Sequence, residues 1–222
     1  MAKQIIECVP NITEGRDLER IDAIVASAKN ISGCKVLGVE PDADYNRTVI
    51  TIAGEPMAVK NAAYNIIEAA IELIDMSKHT GEHPRLGAVD VCPFIPLQNY
   101  TMEQCNDIAN DLAKSIAQDY GVPTFLYGYA ATSPERTLLS SLRKGEYESL
   151  ENRINDKKIH SPTQKPDYGP NNWTKQAEKS GGITIGTRDI LVAYNVNIDE
   201  HDARVSKYIG SLIRGSGRLI KR

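Results

Sequence analysis

With 222 residues, of which 41% are apolar and 25% charged, the chain can bury a sizeable core, as one large domain or two small ones. A net charge of −3, a pI near 5.9 and the absence of a Lys/Arg run exclude the electrostatic footprint of a nucleic-acid binder. The longest apolar region, Ala58 to Ile74, is interrupted by Lys60, Asn61, Asn65, Glu68 and Glu72 and cannot cross a bilayer, so no membrane partner is expected.

The MAKQIIECVPN start has no apolar signal-peptide core, and Cys8, Cys34, Cys92 and Cys105 form no CxxC pair. Cys8, Cys34 and Cys92 sit in or beside apolar strand-like runs, so a reduced, cytoplasmic protein with buried thiols is expected.

In chain order, Gln4–Val9 reads as a strand stopped by Pro10-Asn11, followed by the polar loop NITEGRD. Leu18, Ile21, Ile24, Val25 and Ala28 recur at helical steps behind Asp17, a good N-cap, and Gly33 marks the exit. Cys34–Val39 and Arg47–Ala53 read as strands joined by a polar turn at 41–45. Pro56 suits the first position of a long helix with the stripe Val59, Ala62, Ala63, Ile66, Ile67, Ala70, Ile71, Ile74. Pro84 disfavours helix at His83, so this helix is predicted to end near Ser77–Thr80, before a strand over Leu86–Phe94.

Strand, helix, strand, strand, helix, strand is the order of the ferredoxin-like split βαβ unit, an α+β fold with helices on one face of the sheet. Further along, Thr101 and Gln104 form a capping box for a helix to about Asp119, closed by Gly121 and Pro123, with a strand over Thr124–Tyr129. A short helix at Ser133-Pro134, a charged helical stretch Glu146–Asn155 and a long polar segment Lys157–Gly182 follow. Ile183–Ile185 and Asp189–Ile198 look like strand, and Asp199 caps a helix carrying Val205, Ile209, Leu212 and Ile213. Strand then helix repeats the opening of the chain, so the division expected is 1–182 as a first subdomain and 183–222 as the start of a second, similar α/β subdomain.

The densest group of ionisable residues is SKHTGEHPRLGAVDVCPFIPL, Ser77–Leu97. His79, Glu82 and His83 match H-x-x-E-H, a zinc signature that needs an unbroken helix. Gly81 and Pro84 oppose that helix, so no metal is expected. A histidine at a strand entrance beside Glu82 and Arg85 suits general acid–base work, and equally a satisfied structural role. Asn11, Glu14, Gly15 and Arg16 follow the first strand and Asn46-Arg47 precedes the third, where polar residues face ligands or simply form turns. Trp173, the only tryptophan, follows Asn171 and Asn172; it offers a plane for a flat heterocycle or a cap on the core.

ECVPNITEGRD at Glu7–Asp17, Asn46-Arg47-Thr48, HTGEHPRLGAVDVCPFIPL at His79–Leu97, LYGYAA at Leu126–Ala131, RKGEYE at Arg143–Glu148 and PDYGP at Pro166–Pro170 together resemble the formiminotransferase family. The resemblance implies N- and C-terminal α/β subdomains with folate bound between them, the second continuing past Arg222, and a homodimer. It implies transfer of a formimidoyl group between N-formimidoyl-L-glutamate and N5 of tetrahydrofolate, the co-substrate. His83, in the GEHPR motif, takes the catalytic role; Gly169, Pro170, Asn171, Asn172 and Trp173 take folate contacts. Glu82 is expected to orient His83, and Arg47 or Arg85 to hold a substrate carboxylate, with Asn11 nearby. Formyl transfer, or a non-catalytic folate- or partner-binding module, are the alternatives.

Overall fold

The structure is a computed structural model and describes residues 2–191 and 202–213. The strands are β1 (Ile5–Cys8), β2 (Asn11–Ile12), β3 (Cys34–Asp42), β4 (Arg47–Gly54), β5 (Val89–Gln98), β6 (Thr124–Gly128) and β7 (Ile183–Thr187). The helices are α1 (Leu18–Lys29), α2 (Pro56–Leu73), α3 (Met102–Tyr120), α4 (Leu139–Leu142), α5 (Leu150–Asn155), α6 (Lys175–Ser180) and α7 (Ala203–Ile213). β1 and β2 are one strand broken at Val9-Pro10, and both halves pair antiparallel with β4 and β5. The sheet order is therefore β3, β4, β1/β2, β5, β7, β6; the first four pair antiparallel, while β5, β7 and β6 run parallel.

The first four strands with α1 and α2 are the expected split βαβ unit. Its helices form for the reasons legible in the sequence. Asp17 caps α1 by accepting from Arg20 N at 3.0 Å, Pro56 opens α2, and Thr101 and Gln104 close a reciprocal capping box at the start of α3. Gly121 ends α3 in the left-handed conformation. The buried stripes of these three helices join Ile6, Cys8, Ile50, Ile52, Cys92, Phe94, Ile183 and Ile185 in one core on one sheet face. Burying each large aliphatic side chain there contributes ~2 kcal/mol.

Single-face packing stops at β5. On strand β6, Leu126 belongs to the main core, whereas its neighbours Phe125 and Tyr127 point the other way and join Val91, Leu142 and Leu150 in a second cluster. The parallel extension is thus covered on both faces, by α3 on one side and by α4 and α5 on the other, as parallel strands usually are.

Two expected boundaries move for local reasons. α2 ends at Leu73, because Asp75 caps a separate 3₁₀ turn, Met76–Lys78, by accepting from Ser77 N. β5 begins at Val89 rather than Leu86, since Gly87 bridges to Gly181 and Ala88 N donates to Ser180 O. The polar segment 157–182 is pinned rather than loose: Arg136 donates to Pro162 O and Lys165 O and pairs with Asp167, Arg153 donates to Thr163 O, and Thr174 caps the unpredicted α6.

The seam between compact units falls at 190/191. The reason is β7, which lies between β5 and β6 and so belongs to the first unit. The expected strand at 189–198 is irregular over 189–191 and otherwise lies outside the described residues, as does the cap at Asp199. In the second unit, α7 is preceded by Asp202, which accepts from Arg204 N at 2.9 Å.

Candidate active site

The entrance of β4 and the beginning of β5 bring charged residues together around one buried carboxylate. Asp90 is fully buried. It accepts from Arg47 Nη1 at 2.6 Å, from Arg143 Nε at 3.0 Å and from the backbone N–H of Leu86 at 3.0 Å. A buried carboxylate is tolerated only when its lone pairs are met in this way. Arg47 Nε continues the network to Asn11 Oδ1 at 3.2 Å.

His83 sits over this network on the loop before β5, and Arg47 Nη1 lies 2.9 Å from its Nδ1. The same Nδ1 lies 2.6 Å from Pro84 O. A guanidinium only donates and a carbonyl only accepts, so one ring proton cannot serve both neighbours. When Nδ1–H donates to Pro84 O, Nε2 carries a free lone pair; when Nδ1 accepts from Arg47, Nε2 carries the proton. The His83 pKa is lowered below the ordinary histidine value, first by partial burial and then by the charge of Arg47, with Arg143 adding to it and Asp90 opposing. Near neutral pH the ring is therefore uncharged. The Tyr45 ring meets it edge-on at 5.9 Å.

The other sequence-predicted residues fall in three places. Asn11 and Arg47 are in the network. Arg85 faces away from it, paired with Glu146 at 3.0 Å and Glu148 at 2.6 Å, and Glu82 is exposed, while the ring contacts of His83 are made by Arg47, Pro84 O and Tyr45. Of the Gly169–Trp173 stretch, Asn171 and Asn172 are exposed, and Trp173 packs on Tyr147 with centroids 6.2 Å apart. Tyr147 N donates to Arg85 O at 3.0 Å, which ties this aromatic pair to the residue two positions after His83.

Two members were missed. Asp90 was detectable as the lone charge inside the apolar run AVDVCPF, whereas Arg143 gave no local signal of its destination. The H-x-x-E-H spacing does not form one helix face: His79 ends the 3₁₀ turn and its Nε2 meets Asn46 O at 3.2 Å. Among the described residues no three His, Cys, Asp or Glu converge. Cys8 and Cys92 approach to 3.5 Å in the core, where burial pushes the Cys8 thiol up and away from nucleophilic use.

The profile of the formiminotransferase domain, N-terminal subdomain, matches residues 5–188, nearly the whole first unit. The chain belongs to the formiminotransferase family. It is 41% identical over 218 residues to the glutamate formimidoyltransferase of Streptococcus pyogenes serotype M1, covering 98% of this chain and 70% of that protein. With the glutamate formimidoyltransferase of Thermoplasma acidophilum it shares 42% identity, over 95% of this chain and 67% of that one. The formimidoyltransferase-cyclodeaminase of Dictyostelium discoideum is 46% identical over 88% of this chain, which spans only 35% of that longer protein. Every site residue named above lies within the span matched to the formiminotransferase subdomain.

Proposed function

We propose that this chain carries the catalytic subdomain of a glutamate formimidoyltransferase, moving a formimidoyl group between N-formimidoyl-L-glutamate and tetrahydrofolate N5, with His83 as general acid–base. The observation that carries the reading is the His83 ring held 2.9 Å from Arg47 at the edge of the Asp90 network.

In the forward direction N5 attacks the formimidoyl carbon, a new C–N bond forms, and the proton on N5 must leave. His83 Nε2 accepts it when Nδ1–H is held by Pro84 O. The resulting imidazolium sits beside the Arg47 cation, which makes it a ready acid. It returns the proton to the glutamate nitrogen as the old C–N bond breaks, and the ring is neutral again. One residue thus serves both transfers, with no net proton change.

Arg47 Nε and Nη1 are committed to Asn11, Asp90 and His83; Nη2 remains, among the described residues, the donor for a substrate carboxylate. Arg85 is bound to Glu146 and Glu148, so Arg47 is the stronger of the two candidates. The folate ring is assigned to the side of the site where Trp173 meets Tyr147, with Gly169, Pro170, Asn171 and Asn172 along its approach. No helix among the described residues is long and apolar enough to cross a membrane. The reading includes a cytoplasmic homodimer.

The test is turnover of N-formimidoyl-L-glutamate with tetrahydrofolate by this chain and by a longer one carrying the remaining family sequence, with N-formyl-L-glutamate as competing donor. Formimidoyl transfer in either form supports the reading; transfer from the formyl donor alone, or folate binding without turnover in both forms, overturns it.

The electrostatics give a second expected result. Neutral His83 is the active form, so kcat/KM falls as pH drops through its pKa, and this acid limb lies below the ordinary value of about 6.5. Arg47→Gln removes a neighbouring positive charge and moves the limb upward. A limb that stays in place shows that Arg47 does not tune the ring.

A further inference from the structure

Residues 13–16, 42–46 and 79–83 form three loops that share one buried side chain, Asn46. Its backbone is left-handed, with φ 49°, a conformation that Asn tolerates better than most residues. Its Oδ1 accepts from Gly15 N at 2.9 Å, and its Nδ2 donates to Thr80 O at 2.8 Å. Its carbonyl accepts from His79 Nε2 at 3.2 Å, which leaves the buried His79 Nδ1 as an unpartnered lone pair. Both side-chain groups and the carbonyl of one residue are therefore spent on cross-links between the loops.

The seating is close. A Cβ on Gly15 would come 2.0 Å from Asp42 O and 2.5 Å from Arg47 N; one on Gly81 would come 2.7 Å from Tyr45 O and 2.9 Å from the Asn46 Cβ. Arg16 adds two further ties, to Ala43 O at 2.8 Å and Thr80 O at 3.3 Å. The residue after Asn46 is Arg47, and the loop it holds at Thr80 ends in His83. One turn thus fixes both ends of the 2.9 Å contact between the Arg47 guanidinium and His83 Nδ1.

We propose that Asn46 is a positioning residue: by locking the 79–83 loop onto the 42–46 turn it sets the Arg47–His83 distance, and through it the proton affinity of the catalytic ring. The role assigned to His83 under the proposed function supplies its catalytic consequence, but the geometric claim stands without it. The charged groups facing the ring are Arg47 from β4, Asp90 from β5 and Arg143 after α4, with the Tyr45 ring at its edge. Asn46 carries no charge, so its removal reaches His83 only through position.

The test uses the whole chain with ¹³C,¹⁵N-labelled histidine, titrated by NMR without substrate, His83 being assigned by its loss in His83→Gln. Asn46→Gly keeps the left-handed backbone and deletes both side-chain bonds. The His83 pKa is expected to rise toward that of a free histidine, and kcat to fall tenfold or more with KM changed less than threefold. Arg47→Gln, which raises the pKa in the parent, is expected to have little further effect in the Asn46→Gly background, because the contact is already lost. An Arg47→Gln shift of equal size in both backgrounds overturns the proposal. Should Asn46→Gly not fold, Gly81→Ala, which pushes the loop off the turn, is read by the same pair of titrations. Since these need no turnover, their failure is distinct from a failure of the proposed reaction.

Discussion

Replacing His83 by Gln should lower formimidoyl transfer by ~10² or more while tetrahydrofolate binding changes little. Glutamine can still accept from Arg47 or donate to Pro84 O, so the loop keeps much of its hydrogen bonding, but it cannot carry a proton from one nitrogen to another. The loss belongs in kcat, because the proton is moved only as the C–N bonds form and break. Steady-state kinetics with both substrates, alongside equilibrium folate binding, checks this. Turnover within threefold of the parent would remove His83 from the mechanism and leave the structural reading of that histidine.

Asp90→Asn is the second large effect, and here stability falls together with activity. In the parent, one buried carboxylate serves two guanidinium groups and the Leu86 N–H. The amide has the same shape but no charge, so Arg47 and Arg143 are left side by side with nothing to neutralise them. Breaking a buried ionic network by removing one partner costs about 3–5 kcal/mol. In a domain of this size that corresponds to a drop in Tm of ~10 °C, measurable by thermal unfolding. Adding Arg143→Met to Asp90→Asn removes one of the stranded charges and should recover part of the loss. A single variant as stable as the parent would show that the network contributes nothing net.

The helices were legible because their signals are local. The Asp17 cap, the Thr101–Gln104 box and Pro56 at the start of α2 each act within a few residues, and the stripe from Val59 to Ile71 declares its buried face by spacing alone. β7 was not. Ile183–Thr187 is a run of five buried residues that pairs on both sides with strands far away in sequence, and nothing in five residues says which sheet they enter.

The site divides in the same way. His83 was reached through its motif, and Arg47 and Asn11 through their places at strand ends. Asp90 was visible as a charge in an apolar run, but its partners lie 43 and 53 positions away, beyond any periodicity. Glu82 is exposed, and the His83 ring meets Arg47 and the Pro84 carbonyl.

The place of β7 also sets an order of events in time. Arg143 is translated well after Asp90, and Thr184, whose hydroxyl bonds the Asp90 carbonyl, stands 94 positions beyond it. Loop closures of that length are slow compared with formation of the local helices. The split βαβ half can gather first, with Arg47 and Asp90 already opposed, while the second arginine and the strand whose Thr184 bonds the Asp90 backbone carbonyl arrive last. A ribosome-bound intermediate ending before residue 183 would therefore hold the histidine loop and both arginines but lack the Thr184 hydroxyl that bonds the Asp90 backbone carbonyl.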